Sequence, residues 1–189
     1  GRLTANDTAL ITAASSSVGI AAIQVAKTCG ARVIATTRHS NKKGAISKFG
    51  ADYVIATEEE NLVKNVEAIT SGKGPRIVFD PIAGPMLEQL CSVTANHGTI
   101  FEYGALHTMK TEYPLMPILA KSLTITGYQV LDFVTNTTRF AKAKKYILEG
   151  ISSGQLKPVI DRTFPLSEIV EAHRYMESNL QCGKIVITV

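Results

Sequence analysis

Short apolar segments alternate with amphipathic segments over roughly the first 130 residues of the chain. The apolar segments predict strands over residues 9–13, 32–37, 53–56, 76–80, 98–103 and 123–130. The amphipathic segments predict helices over residues 17–29, 41–49, 59–70 and 85–93. Because nearly continuous apolar strands alternate with helices, the pattern indicates a parallel sheet covered on both faces. We therefore expect an α/β fold with a doubly wound, Rossmann-type parallel sheet in three αβα layers.

The regular alternation ends after about residue 132. Beyond it the pattern predicts a basic-faced helix over 140–150, an irregular or extended segment over 154–165, a helix over 166–178 and a strand over 183–189. Ser167 is the expected N-cap of the third of these elements. Because the last helix and strand do not continue the alternation, we divide the chain into a domain over residues 1–150 and a C-terminal tail over residues 151–189.

The turn after the first strand is made of small residues, Ala13-Ala14-Ser15-Ser16-Ser17-Val18-Gly19, and an apolar helix follows at once. Such a turn brings backbone N–H groups and the positive end of a helix to a phosphate. It lacks the GxGxxG spacing, and Ala13, Ser16 and Gly19 are expected to fill the positions of its three glycines. The alternative interpretation is a serine-capped helix of any α/β fold.

The turn after the second strand carries the next signal, because no Asp or Glu occurs between Asp7 and Asp52. A site for NAD usually places an acid there, about 20 residues after the phosphate turn, to bind the ribose 2′-hydroxyl. In place of an acid, this turn has two hydroxyl residues and two cations, namely Thr37, Ser40, Arg38 and Lys42. Their positive charges and hydroxyl donors can bind a 2′-phosphate. The spacing therefore favours NADP(H), with a basic surface turn as the alternative.

Composition narrows the remaining function classes. The net charge of +4 is spread along the 189 residues, which argues against a nucleic-acid surface. No apolar run approaches the ~20 residues of a membrane helix. The cysteines are isolated from one another, which favours a reducing, cytoplasmic compartment. The histidines share no ligand spacing with them, so we expect no metal site. The YxxxK pair of short-chain reductases is missing, and we assign no catalytic residue to the chain.

Five motifs in order resemble the medium-chain dehydrogenase/reductase superfamily, and most closely its zinc-independent quinone oxidoreductase (zeta-crystallin-like) branch. They occupy residues 13–27, 50–55 (GADYVI), 78–81 (VFDP), 101–106 (FEYGAL) and 183–186 (GKIV). The resemblance extends over essentially the whole chain and corresponds to the cofactor half plus the tail. It implies that an intact protein begins with a GroES-like catalytic domain, mostly absent here, to which the tail returns.

The resemblance also implies roles for individual residues. It assigns Ser16, Ser17, Val18 and Gly19 to the pyrophosphate, Arg38 and Lys42 to the 2′-phosphate of NADPH, Gly104, Ala105 and Leu106 to the nicotinamide ribose, and Tyr128 and Gln129 to the nicotinamide face. Two departures stand out: the family usually has glycine at the positions of Ser16 and Ser17, and Thr57 replaces an adenine-stacking tyrosine of some relatives. The segment 122–130 alternates like an edge strand, and the family commonly forms homodimers through that edge.

Three functions remain as hypotheses. The first is the NADPH-binding domain of an oxidoreductase that transfers hydride to a quinone, an enone or a similar activated carbonyl or alkene. The second is a non-catalytic NADP-binding or dimerisation module, or the enoyl-reductase half-domain of a multidomain synthase. The third is a methyltransferase-like domain that binds S-adenosylmethionine, which the missing acid after the second strand disfavours.

Overall fold

Six short strands carry the core of the protein, and the computed structural model describes them within residues 2–189. They are β1 (Thr8–Ile11), β2 (Arg32–Thr37), β3 (Tyr53–Ala56), β4 (Ile77–Asp80), β5 (Thr99–Glu102) and β6 (Thr124–Gly127). All neighbours pair in parallel, in the order β3-β2-β1-β4-β5-β6. The order reverses between β1 and β4, and a ligand crevice is expected beyond the carboxyl ends of those strands.

Residues 2–189 contain eight α-helices, of which the first five contribute buried residues to the two faces of this sheet and the last packs on the strands near the C-terminus. They are α1 (Ser17–Thr28), α2 (Lys43–Lys48), α3 (Leu62–Thr70), α4 (Met86–Val93), α5 (Leu115–Lys121), α6 (Leu131–Val134), α7 (Thr137–Ser152) and α8 (Ile169–Glu177). On one face, Ile11 and Val33 of the sheet share a buried cluster with Ile23 of α1. On the other face, Leu10 and Val78 are buried with residues of α3 and α4. The predicted three-layer, doubly wound α/β fold is therefore confirmed.

The last part of the chain forms a second, smaller sheet. Strands β7 (Ile160–Pro165) and β8 (Lys184–Thr188) pair in parallel with each other and not with the six-stranded sheet. The segment expected to be irregular or extended thus ends in a strand. The boundary placed at residue 150 falls inside α7, which starts at an Asn136 cap and continues to Ser152.

One local expectation differs from the structure, and two short helices were not expected. Ser167 is not an N-cap, because it lies in a 3₁₀ turn (Leu166–Glu168) and α8 begins after it without a side-chain cap. Helices α5 and α6 do not follow from the sequence pattern. A proline such as Pro117 disfavours a helix interior, yet it lies in the first turn of α5, where a helix needs no N–H donor.

The start of α1 is fixed by a close approach of backbone to backbone. A Cβ atom on Gly19 would lie 2.6 Å from Ala14 Cα and 2.7 Å from Ala13 O. Ala13 takes a positive φ of 46°, and Ala14 N donates to Thr36 O at 2.9 Å, which ties the turn to β2. Only glycine fits at position 19, as the spacing with Ala13 and Ser16 predicts.

We expect Gly19→Ala to lower the free energy of unfolding by about 1–3 kcal/mol, because the added methyl group must displace backbone. The matched control is Gly44→Ala in α2, where a Cβ atom meets nothing within 4 Å. The control should leave the melting temperature unchanged or raise it, since alanine favours helix. Thermal melts of both variants make the comparison, and equal stability would contradict the close approach.

Candidate functional site

The turn between β1 and α1 presents backbone donors at the crevice. Ser16 is the N-cap, and its Oγ accepts from Gly19 N at 3.0 Å while Ser16 O accepts from Ile20 N at 2.9 Å. The N–H groups of Ser17 and Val18 find no acceptor within residues 2–189. Ser16 is therefore a helix cap, and the turn offers the N–H groups of Ser17 and Val18 to an anion.

The C-terminal tail runs beside this turn. Gly183 N donates to Ser15 O at 3.0 Å, and Ser16 and Gly183 form an isolated parallel bridge. Gly183 has a φ of +129°, and a Cβ atom there would lie 2.7 Å from Val159 O. Gly183, the glycine of the motif GKIV, is the sequence signal for this close approach of the tail to the turn. The hydrophobic periodicity alone did not predict where the tail lies.

Lys42 connects its own turn after β2 with the turn between β1 and α1 and with the C-terminal tail. Its Nζ donates to Asn179 O at 2.5 Å and Gln181 O at 2.8 Å, and lies 3.4 Å from Ser15 Oγ. Burial lowers the pKa of Lys42 from its ordinary value, and the nearby charge of Arg38 acts in the same direction. The structure thus brings Lys42 to Ser15 of the phosphate turn and binds it to tail carbonyls that the sequence did not indicate.

The neighbours of Lys42 after β2 divide into a buried and an exposed part. Thr37 is buried, and its carbonyl accepts from Thr57 N at 2.8 Å. Arg38 is exposed, and its guanidinium donates to no other group within residues 2–189. A free guanidinium and an ammonium therefore flank the end of β2.

Acidic groups reach this end of the crevice from the following loop. Glu59 Oε1 accepts from Ser40 N at 3.0 Å, a contact that lowers the pKa of Glu59. His39 lies 3.5 Å from Glu58 and 3.6 Å from Glu59. Residues after β3 lie beside residues after β2 because parallel neighbours end at one edge. Although residues 8–51 contain no acid, the structure therefore brings the acids Glu58 and Glu59 close to this stretch. The sequence analysis missed this proximity.

The residues predicted for the nicotinamide end lie at the carboxyl ends of β5 and β6. A Cβ atom on Gly104 would lie 3.0 Å from Pro81 O, and Leu106 N donates to Pro81 O at 2.9 Å. Tyr128 N donates to Glu102 O at 2.9 Å, and its ring centroid lies 6.1 Å from that of Phe79. Ala105, Leu106 and Gln129 are exposed beside them.

A buried pair of carboxyl groups underlies the crevice. Asp80 is fully buried; its Oδ1 accepts from Thr12 Oγ, and its Oδ2 accepts from Ala83 N at 2.7 Å. Glu102 lies opposite Asp80 in the β4–β5 register, and both its carboxyl oxygens are buried with no partner in residues 2–189. Burial, and then the charge of Asp80, raise the pKa of Glu102 to about 8. Glu102 is thus mainly protonated at neutral pH. The sequence signal for this buried pair, which the sequence analysis overlooked, is an acidic residue at the end of each of two adjacent strands.

Within residues 2–189, no group of three or more His, Cys, Asp or Glu residues is placed to hold a metal ion. None of the helices there has the length and apolar character that crossing a bilayer requires.

Comparison with known proteins identifies the family. Residues 17–147 match the family model of zinc-binding dehydrogenases, and the chain belongs to this family. The resemblance to medium-chain dehydrogenases/reductases is thereby confirmed, which decides against the methyltransferase interpretation. In structure, the chain superposes on Escherichia coli quinone oxidoreductase complexed with NADPH with a TM-score of 0.91 at 27% identity, over 100% of this chain and 59% of that one.

Further relatives differ in their chemistry. A crystal structure of an NAD-dependent alcohol dehydrogenase is 32% identical with a TM-score of 0.88, over 99% of this chain and 52% of that one. The 2-haloacrylate reductase of a Burkholderia species is 28% identical over 185 residues, which are 96% of this chain and 55% of that protein. A phenolphthiocerol/phthiocerol polyketide synthase of Mycobacterium tuberculosis is 28% identical over 193 residues, covering 100% of this chain and 9% of that protein. The chain thus spans about half of the single-function relatives and about a tenth of the synthase.

The buried Glu102 carboxyl makes stability depend on pH. Its folded pKa of about 8 exceeds the ordinary 4.5, so the unfolded chain releases this proton first as pH rises. The contribution of Glu102 to the free energy of unfolding is therefore complete below about pH 4.5 and is lost progressively up to about pH 8.

We expect Glu102→Gln, which cannot ionise, to abolish this loss. The melting temperature of the variant, relative to that of the wild type, should therefore rise from pH 5 to pH 8.

The control for this experiment is Glu67→Gln, which changes an exposed carboxylate on α3. Its melting temperature should follow the wild type across the same pH range. A Glu102→Gln variant that also follows the wild type in parallel would contradict the protonated state of Glu102.

Proposed function

We propose that this chain is the NADPH-binding part of an oxidoreductase that transfers hydride to a quinone, an enone or a similar activated carbonyl or alkene. The observation that carries the proposal is the Lys42 ammonium, which follows β2 in the chain and lies between Ser15 of the phosphate turn and the tail carbonyl of Asn179. Free N–H groups at Ser17 and Val18 lie at the same edge of the sheet. Quinone oxidoreductase with NADPH, at 27% identity, supports the same assignment.

The residues present fit a dinucleotide lying across the carboxyl ends of the strands. The pyrophosphate would lie against Ser16, Ser17, Val18 and Gly19, where the backbone is bare and donors are free. Thr37, Arg38 and Lys42 would hold the 2′-phosphate, although Glu58 and Glu59 lie close enough to weaken that preference. Gly104, Ala105 and Leu106 would line the nicotinamide ribose, with Tyr128 and Gln129 at the nicotinamide face.

In this proposal the bound cofactor supplies the hydride, while the chain binds and orients it. The loop after β5 is tied to the loop after β4 by Leu106 N to Pro81 O, which holds the nicotinamide end in place. We assign no catalytic acid or base to the chain. The small-molecule substrate would be bound mostly by a GroES-like domain, so the 189 residues alone should bind cofactor and turn over poorly.

The same proposal gives different roles to the two parts of the chain. Residues 1–150 would be the NADP-binding domain, and residues 151–189 would return to the GroES-like domain in the intact protein. The separate pairing of β7 with β8 supports this, because the tail forms no part of the six-stranded sheet. We further place the protein in the cytoplasm, since its cysteines are free thiols and Cys29 is exposed.

A second candidate is the enoyl-reductase half-domain of a multidomain synthase. It is favoured by the matches to polyketide synthases, including a highly reducing synthase of Cordyceps militaris that is 30% identical over 195 residues. The gene discriminates the two candidates: acyl-carrier or ketoreductase neighbours in the same reading frame indicate a synthase. A GroES-like segment with nothing beyond it indicates a separate reductase. If the full-length protein shows no turnover, whether its neighbours are synthase domains or a GroES-like segment, the interpretation is a non-catalytic NADP-binding or dimerisation module.

Strand β6 supports a homodimer as part of the proposal. It pairs with β5 on one side only, so its other edge is open among the described strands. Thr124 N and Tyr128 N donate toward β5, which leaves the alternate N–H groups of Ile125 and Gly127 directed at the open edge. Such an edge can pair with a second copy of the chain.

We expect Gly127→Pro to reduce dimerisation, because proline removes an outward N–H without touching the bonds to β5. A Cβ atom at this position meets nothing within 4 Å, so Gly127→Ala is the matched control. Sedimentation velocity should show a concentration-dependent dimer for wild type and the alanine variant and mainly monomer for the proline variant. A wild type that is monomeric at all concentrations would refute the edge-paired dimer.

We expect the chain to bind NADPH at least tenfold more tightly than NADH, a difference of about 1.4 kcal/mol. Arg38→Ala combined with Lys42→Ala should weaken NADPH binding by about 1.5–3 kcal/mol per lost charged hydrogen bond and leave NADH nearly unchanged. Isothermal titration calorimetry with both cofactors makes the measurement.

Lys64→Ala with Lys73→Ala is the control for net charge, because both lysines are exposed and neither belongs to the predicted site. Arg38→Ala alone distinguishes a loss of 2′-phosphate binding from a disturbance of the tail, because Lys42, and not Arg38, donates to the tail carbonyls. Equal losses for NADPH and NADH would show that these cations do not recognise the 2′-phosphate.

A further inference from the structure

The ammonium of Lys42 already has a full set of acceptors within the protein. An ammonium has three hydrogens to donate, and three oxygens lie around Nζ: Asn179 O at 2.5 Å, Gln181 O at 2.8 Å and Ser15 Oγ at 3.4 Å. The two shorter bonds both go to carbonyls of the C-terminal tail. The side chain that the proposed function assigns to the 2′-phosphate is partly exposed, but it is engaged mainly with the tail.

The tail segment that Lys42 holds, residues 178–182, is joined to the rest of the molecule by few bonds. We call this segment the tail loop; it lies between α8 and β8. Its internal bonds stay within the tail, as from Leu180 N to Ser178 Oγ at 3.3 Å, and the Leu180 side chain is 63% exposed. Within residues 2–189, Lys42 is the only hydrogen-bond partner of the tail loop that lies outside the tail. The position of the tail loop therefore depends strongly on Lys42.

The direction of the Asn179 carbonyl depends on an uncommon backbone conformation. Asn179 follows the C-cap of α8 and has a positive φ of 55°, the left-handed conformation that often ends a helix. Asparagine tolerates this conformation better than most residues with a side chain. A change in this φ would turn the carbonyl away from Lys42, so the contact can be disturbed from the tail without altering Lys42.

A 2′-phosphate would attract the Lys42 ammonium more strongly than a carbonyl does, because it carries a full negative charge. The exposed Arg38 guanidinium, at the same turn after β2, would add to the attraction for the phosphate. Since all three hydrogens of Lys42 have acceptors, a phosphate oxygen can bind Nζ only by replacing one of them. The tail carbonyls are the acceptors that can be released with least disturbance, because the tail loop has no other partner outside the tail.

We propose that the 2′-phosphate of NADPH and the tail loop compete for the ammonium of Lys42, so that NADPH loosens the tail loop and NADH does not. The inference rests on the proposed function, because it requires a dinucleotide with its 2′-phosphate at Lys42. It goes further by giving this residue a second role, that of holding the tail. Linkage makes the competition reciprocal: a change that loosens the tail loop also tightens the binding of NADPH.

The first test is hydrogen–deuterium exchange of peptides that cover residues 178–183, with the chain saturated by either of two nucleotides. The probe 2′,5′-ADP carries the 2′-phosphate, and 5′-AMP is the same nucleotide without it. We expect the tail loop to exchange about threefold to tenfold faster with 2′,5′-ADP, the effect of one lost hydrogen bond. In Lys42→Met, which keeps a side chain of similar length without the charge, exchange should be fast and equal with both nucleotides. Lys43→Met is the matched control, since Lys43 pairs with Glu60 and not with the tail.

The second test acts from the tail. Asn179→Val places a β-branched side chain at the positive φ and should move the carbonyl away from Lys42. Asn179→Gly is the matched control, because glycine adopts the same φ without strain. Isothermal titration calorimetry should show that the valine variant binds NADPH about threefold to tenfold more tightly than the wild type and binds NADH equally. The glycine variant should bind both cofactors as the wild type does.

Equal exchange of the tail loop with 2′,5′-ADP and with 5′-AMP would overturn the inference. Slower exchange with 2′,5′-ADP would also overturn it, because one ammonium would then hold the phosphate and the tail together. NADPH binding by Asn179→Val that is no tighter than that of the wild type contradicts the competition as well. The proposed function survives each of these results if the wild type still binds NADPH more tightly than NADH. A wild type that binds neither cofactor overturns both.

Discussion

The approach of Gly19 to the backbone of Ala13 and Ala14 is the constraint on which the rest of the crevice depends. It fixes the distance between α1 and β1, and so decides where the first free N–H groups of the helix lie. A Cβ atom there would lie 2.6 Å from Ala14 Cα, so any side chain would force the backbone of the turn or of the helix to shift. Every polar contact described around the turn is arranged relative to this one.

A second layer of polar groups supports the crevice from within. The fully buried Asp80 receives hydrogen bonds from Thr12 and from the N–H groups of Ile82 and Ala83, so β1, β4 and the loop after β4 share one carboxylate. A buried charge is tolerated when it is this well paired. Glu102 beside it has no such partners and is held neutral instead, which avoids two adjacent charges. One acid thus organises the loops, while its neighbour stays protonated beside it.

Most of the fold could be predicted because it depends on local periodicity. All six strands of the sheet and the apolar stripe of α1 follow from runs of apolar residues, and the order reversal is a property of the doubly wound fold that their alternation indicates. Helix α5 escaped prediction because a proline in its first turn resembles a helix breaker. Ser167 failed as a cap because the chain there prefers a 3₁₀ turn before the α-helix begins.

The candidate site was predictable only where its residues are close together in sequence. The turn from Ser16 to Gly19 is one continuous segment, whereas Lys42 gains its partners from the distant residues 179 and 181. Likewise Glu59 reaches Ser40 only because β2 and β3 end side by side. Burial of Glu102 and Tyr103 depends on packing that no single segment encodes. These contacts are tertiary, and hydrophobic pattern carries no information about them.

The position of β1 in the middle of the sheet has a consequence for how the chain folds. Its two neighbours are β2, which follows closely, and β4, whose pairing is reinforced by the Thr12–Asp80 bond across 68 residues of sequence. Until β4 is available, an apolar strand with an open backbone edge is exposed to other chains. Closing so long a loop is entropically slow, so this high contact order should set the folding rate. During synthesis, β1 can find its second partner only after the ribosome has released residues 77–80, and aggregation competes with folding up to that point.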